Sequence, residues 1–222
     1  MQPARPINMQ ILVSLHSAPT FVVALCAALL LTAVGRAQEV PSGLLGQRYA
    51  DVNFDVVDFS KVHDYGYSTG LSLNLPADPN VDVGLGYTYG WVNITGTALR
   101  EHTLLTSLVW HALAPGPKPF VGAGLGYDWA RQTFGPFKAN DKAGVWGLGT
   151  GVEIPVGAFT FTPSVSYSDR FETHHSGAMN YHAEANYWFT PEIAGYANLT
   201  YSDYASSSGN SWTYRTGLRF KF

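Results

Sequence analysis

From Gln47 to the last residue, apolar and polar side chains alternate with a period of two in ten runs, separated by turn-forming residues, and no stretch carries a helical period. The first run sets Ala50, Val52, Phe54 and Val56 against Tyr49, Asp51, Asn53 and Asp55. The third sets Val81, Val83, Leu85, Tyr87, Tyr89 and Trp91 against Asp82 and a row of Gly and Thr. The eighth sets Met179, Tyr181, Ala183, Ala185, Tyr187 and Phe189 against Asn180, His182, Glu184 and Asn186. The last sets Trp212, Tyr214, Leu218, Phe220 and Phe222 against Ser211, Arg215, Arg219 and Lys221. The fourth run, around Leu104 to Trp110, is weaker because Leu105 and Val109 fall on its polar side. Ten strands are predicted; demoting two runs would leave eight, and either even number returns the terminus to the side where the chain began.

Alternation alone does not say whether the apolar face meets lipid or a dry protein core, since a soluble sandwich has the same period. Three further features select lipid. Aromatic residues of the apolar face collect at strand ends, with Tyr65, Tyr67, Tyr89, Trp91, Trp129, Trp146, Tyr167, Tyr201, Trp212 and Tyr214 toward one rim. Trp110, Phe159, Phe161, Tyr187, Phe189, Phe220 and Phe222 lie toward the other, the two girdles expected at two membrane interfaces. Connections on one side are compact and proline-bearing (76–80, 112–118, 155–157, 190–192). Those on the other (58–64, 92–100, 131–140, 169–176, 203–210) are polar and expected to form longer loops. Each run is also near the roughly 9–11 residues a tilted strand needs to cross hydrocarbon. An open sheet edge in lipid would strand backbone polar groups, so the expected fold is all-β, a closed antiparallel up-and-down transmembrane β-barrel.

The first 37 residues are of another kind. Arg5 precedes an apolar run from Phe21 to Leu31, and small residues follow up to Ala37, the layout of a secretory signal with cleavage after Ala37. That run is shorter than the roughly 20 residues of a membrane-spanning helix. Residues 1–37 are thus expected to be a signal peptide and 38–222 the barrel domain, reaching the outer membrane through the periplasm. Cys26, the single cysteine, falls in the signal; Leu25 before it argues against a lipid-attachment site, and the mature chain would carry no disulfide. The chain has 13 Lys+Arg against 16 Asp+Glu, and loss of the signal removes Arg5 and Arg36 but no acid. A mildly acidic barrel is a poor nucleic-acid binder. With 23 Gly, 13 Tyr, 12 Phe and 6 Trp but 13% charged residues, the composition is also unlike that of an ordinary soluble domain.

With the signal, the segment PFVGAGLGYDW from Pro119 to Trp129 and the aromatic C-terminal strand ending in Phe222, the mature chain resembles the small outer-membrane β-barrel proteins of bacteria, the porin-like and opacity-type group. The resemblance covers 38–222 and implies that Phe220 and Phe222 act as the tag read by the barrel assembly machinery. The implied surroundings are outer-membrane lipid, and the external partner or solute is left open.

The inward face is unevenly furnished. The second, third, fifth and sixth runs offer Gly, Ser and Thr; the first, eighth and tenth offer Asp51, Asp55, His182, Glu184, Trp188, Arg215, Arg219 and Lys221. Large side chains from one wall are expected to reach the small wall and fill the lumen. Closure pairs the last strand with the first, which would put Arg219 near Asp51 and Arg215 near Asp55, with Glu184 competing for either arginine; buried charges need such partners. Asp82 and Glu153, near the end that holds the termini, have the same inward parity. This polar network reads as internal packing, or alternatively as a narrow pore for small solutes. The expected role is structural, surface-interacting or of minor permeation, without cofactor, metal or catalytic residues. Two enzyme-like patterns remain as alternatives. His174 and Ser176 resemble the histidine and serine of outer-membrane lipid A deacylases, with Glu184 as an orienting acid. Asp169, Glu172, His174 and His175 supply the residue types of omptin-like proteases at the outer rim. His63, His102, His174 and His175 fall toward the same rim but lack a local metal-ligand spacing.

Overall fold

A computed structural model describes residues 43–59, 64–94, 97–113, 116–172, 177–205 and 209–222. The expected signal segment, 1–37, and its cleavage point lie outside the described residues. The ten alternating runs form ten strands: β1 (Tyr49–Phe59), β2 (Asp64–Asp78), β3 (Val81–Ile94), β4 (Thr97–His111), β5 (Lys118–Phe134), β6 (Phe137–Val156), β7 (Phe159–Arg170), β8 (Ala178–Trp188), β9 (Ile193–Tyr204) and β10 (Asn210–Lys221). Each pairs antiparallel with its neighbour in sequence, and β1 pairs with β10 from Tyr49↔Lys221 to Phe59↔Ser211. The sheet is closed and none of its ten strands has an edge; ten strands, not eight, make the barrel. Closure satisfies the backbone groups that an open edge would leave bare.

The pleat sends alternate side chains to opposite faces, and the apolar set points outward. Leu71, Leu125 and Leu148 are more than half exposed, whereas Asp55, Asp82, Glu153 and Asn186 are buried inside. A soluble protein buries the opposite set, because so continuous an apolar surface cannot face water. Both aromatic girdles are present as chains of touching rings. On one rim Phe54, Tyr67, Trp91, Tyr89, His102 and Trp129 follow one another, with Tyr89 and His102 centroids 4.9 Å apart and His102 stacked on Trp129 at 5.2 Å with 4° between planes. On the other, Phe159 meets Phe161 and Tyr187, and Tyr187 meets Phe189.

The expected contrast in loop length is corrected at two of the five connections, while 58–64, 169–176 and 203–210 run outside the described residues. At the end away from the termini, β3 and β4 stay paired to Ile94↔Thr97, and β5 and β6 to Phe134↔Phe137. Residues 92–94, 97–100, 131–134 and 137–140 are therefore strand, not loop. Ladder hydrogen bonding continues wherever extended backbone finds a partner, whatever the polarity of its side chains. Gly135, with φ 53°, closes the longer hairpin in a conformation that suits glycine. The asymmetry lies in overhang: β6 has 20 residues, about twice what a crossing needs.

Candidate functional site

The lumen holds the functional candidates, and two strand pairings organise it. Across the β1–β10 seam Asp55 faces Arg215 and Asp51 faces Arg219. Arg215 donates from Nε to Asp55 Oδ1 at 2.8 Å and from Nη2 to Oδ2 at 2.9 Å, and Ser68 Oγ donates to the same carboxylate at 2.8 Å. Bidentate geometry of this kind gives the strongest charge-assisted pairs. Glu184 joins Arg219, not Arg215: Arg219 Nη1 donates to Glu184 Oε1 at 2.8 Å and to Asn186 Oδ1 at 2.6 Å, while Nη2 reaches Asp51 Oδ2 at 3.4 Å. The guanidinium carbon lies 4.2 Å from the Tyr196 ring centroid and 5.2 Å from that of Tyr49, so two aromatic faces complete its surroundings. His182 shares hydrogen bonds with Ser166 Oγ at 3.0 Å and Thr200 Oγ1 at 2.8 Å, which engages both ring nitrogens.

In a second layer, toward Tyr49 and Lys221, the sequence marked Asp82, Glu153 and Lys221 but not the turn that they hold. The turn at Gly43–Gly46 enters this end of the lumen. Glu153 Oε2 accepts from the backbone N–H of Leu44 at 2.7 Å and of Leu45 at 3.2 Å, and Asp82 Oδ2 accepts from Gly46 N–H at 2.9 Å. Lys221 Nζ donates to the Gly43 carbonyl at 2.7 Å and sits 4.0 Å from the Trp188 ring centroid. Leu44 is buried with Trp188 and Ala194, and His111 lies 3.7 Å from Asp82. Inward parity marked Asp82 and Glu153, but the signal for their partner was the paired glycines: Gly43 and Gly46 both take positive φ, 69° and 79°.

The expected filling of the lumen is incomplete. A cavity of about 650 Å³ remains against the small-residue wall of β4 to β8, lined by Leu105, Phe120, Gly124, Gly149, Ser166 and His182 among others. The arginines do not fill it because they are held by partners on β1 and β8, Asp55 and Asp51 on the one and Glu184 and Asn186 on the other. Toward the outer rim, Arg170 pairs with Asp141 at 2.6 Å and lies 3.7 to 3.9 Å from Asp128, Glu101 and Glu172.

Of the enzyme-like candidates, His63, His174, His175 and Ser176 lie outside the described residues. Glu184 is committed to Arg219 and sits six residues along β8 from Ala178, about 20 Å from the strand end that would adjoin them. Asp169 accepts from Tyr167 Oη at 3.1 Å and from its neighbour's N–H. His102 faces outward within the girdle, with Nδ1 2.8 Å from Tyr87 Oη. Among the described residues no three His, Cys, Asp or Glu side chains converge as a metal site. Phe220 projects outward from β10, and Phe222 follows the strand with its N–H on the Arg48 carbonyl at 3.2 Å.

A closed ten-stranded barrel with an apolar exterior and a charged interior has the fold of the bacterial outer-membrane β-barrels. The chain is similar to the translocator domain of the autotransporter NalP from Neisseria meningitidis, at 12% identity over 93% of this chain and 98% of that one, with a TM-score of 0.51. It is also similar to the β domain of the Bordetella autotransporter BrkA, at 13% identity over 81% of this chain and all of that one, with a TM-score of 0.50. Neisserial surface protein A aligns at 15% identity over 79% of this chain and 96% of that one, with a TM-score of 0.44. No protein-family model and no curated protein sequence matches the chain.

Proposed function

We propose that this protein is an integral barrel of the bacterial outer membrane with a structural or surface-interaction role, exported by a signal at 1–37 and inserted by the assembly machinery through Phe220 and Phe222. It has no catalytic function and does not pass solutes freely. The observation that carries this reading is the turn at Gly43–Gly46, clamped by Glu153, Asp82 and Lys221 next to a layer of charges paired across the β1–β10 seam. An isolated charge in such a layer would cost several kcal/mol, so paired charges resist displacement by a passing ion.

The test is reconstitution into phosphatidylcholine vesicles and planar bilayers. Flotation with the vesicles and a gel mobility that shifts on boiling are expected, together with a silent membrane under voltage. A monomer that stays soluble without detergent would remove the membrane assignment. The second reading, a narrow pore, is favoured by the 650 Å³ cavity along the small-residue wall; steady conductance altered by Arg215→Ala or Glu184→Ala would establish it.

A further inference from the structure

Charge is sorted by face where β4, β5 and β6 pass the upper aromatic girdle. Inward lie Glu101, Asp128 and Asp141, gathered around Arg170. Outward lie Arg100, Arg131, Lys138 and Lys142, because each shares strand parity with a girdle residue: Arg100 with His102, Arg131 with Trp129, and Lys138 and Lys142 with Trp146. The register sets them side by side. One row across the strands reads Trp91↔Arg100↔Arg131↔Asn140, and the next toward the bilayer reads Tyr89↔His102↔Trp129↔Lys142.

Arg100 and Arg131 thus stand directly opposite on adjacent strands, an arrangement that is destabilising for like charges. Among the described residues, the outward face of β4 to β6 carries no acid beside them. Arg100 donates to neutral acceptors, Asn93 Oδ1 at 3.0 Å and the Leu99 carbonyl at 2.8 Å. Asp169, on the outward face of β7, accepts hydrogen bonds from Tyr167 Oη and the Arg170 N–H. Arg131, Lys138 and Lys142 are exposed.

We infer that this outward basic patch is a binding site for the phosphate groups of an anionic glycolipid in the outer leaflet. The inference rests on the membrane reading above. Its position carries the choice of occupant: aromatic rings mark the hydrocarbon boundary, and Arg131 lies two residues beyond Trp129, about 7 Å further along the strand, at the level of lipid phosphates. The patch points sideways into the bilayer, where a lipid is the anion always present, and not upward toward soluble partners.

The experiment uses protein purified from membranes and placed in phosphatidylcholine nanodiscs. Binding is measured with bisphosphorylated lipid A, with the same lipid after enzymatic dephosphorylation, and with inorganic phosphate. Saturable binding of the bisphosphorylated lipid that weakens with salt is expected, with little binding of the dephosphorylated form. Arg131→Gln with Lys142→Gln should weaken it on the order of 25-fold, each cation near an anionic surface contributing about fivefold. Equal binding of both lipids, unchanged affinity in the double variant, or saturation by inorganic phosphate alone would overturn the inference. The comparison of lipids on the unaltered protein decides the matter even where the double variant fails to fold. A protein that does not enter phosphatidylcholine nanodiscs refutes the membrane reading, whereas one that enters but does not distinguish the two lipids refutes this site alone.

Discussion

Arg215 holds Asp55 in a two-pronged grip across the seam that closes the barrel, with both hydrogen bonds under 3 Å. The carboxylate side chain is 3% exposed and the arginine 38%, so the pair is buried on one side and wet on the other. Arg215→Ala leaves Asp55 with Ser68 as its remaining hydrogen-bond donor. Solvent access limits the expected loss to about 2 kcal/mol, less than for a fully buried pair. Urea unfolding in detergent should show this loss, and Arg215→Lys should recover part of it because an ammonium supplies charge but not the fork.

Arg219 is the deeper group and its loss should be the more damaging. Arg219→Ala leaves Glu184 and Asp51 buried without the cation they pair with, and a cost of about 3–5 kcal/mol is expected. Combining Arg219→Met with Glu184→Gln removes the charges of the closest pair together and should return much of the stability. If the double variant unfolds at the same urea concentration as Arg219→Ala, the attribution to uncompensated charge is wrong.

The fold was legible in the sequence because a barrel wall has one rule, a period of two, and side chains such as Leu71 and Ser72 obey it without reference to anything distant. The Arg215–Asp55 and Arg219–Asp51 pairings were legible for the same reason: closure fixes which strands meet, and parity fixes which side chains share the lumen. Glu184's choice of Arg219 was not, since it depends on where Asn186 presents its amide and where Tyr196 and Tyr49 leave room. The turn at Gly43–Gly46 was invisible to periodicity because it belongs to no strand; its order comes from two carboxylates more than thirty residues away. The overhanging β5–β6 hairpin was missed because polar residues such as Arg131 and Asn140 read as loop, although strand pairing is a property of the backbone.

Gly217 lies between Arg215 and Arg219 on the same inward face. A Cβ there would run into the Val52 carbonyl and come within 2.6 Å of Tyr196 Cε1, the ring that receives Arg219. Gly217→Ala should therefore cost about 1–3 kcal/mol by overpacking, with Tyr196 displaced from the guanidinium. Gly86→Ala is the control, since a Cβ at that position makes only ordinary contacts, Ser72 Cβ at 3.9 Å being the nearest. Equal unfolding midpoints for the two variants would contradict the steric account.

The turn at the terminal end of the lumen offers a direct readout of its clamp. Leu44 is 6% exposed, so a thiol at that position should react slowly with a water-soluble methanethiosulfonate added to the reconstituted barrel. With Cys26→Ser to remove any other thiol, Leu44→Cys should stay protected while Glu153 and Asp82 hold the backbone N–H groups on either side. Glu153→Gln with Asp82→Asn keeps the shapes but replaces charged acceptors with neutral ones. Hydrogen bonds to charged groups contribute about 1.5–3 kcal/mol each against about 1 for neutral ones, so opening of the turn should become at least about tenfold more frequent and labelling faster by the same factor. Gly43→Ala should act in the same direction by a different route, because its Cβ would overlap the Glu153 carboxylate and its φ of 69° disfavours a side chain. Rapid labelling of Leu44→Cys with both carboxylates intact would show that the turn does not stay in the lumen, and would remove the observation on which the non-conducting reading stands.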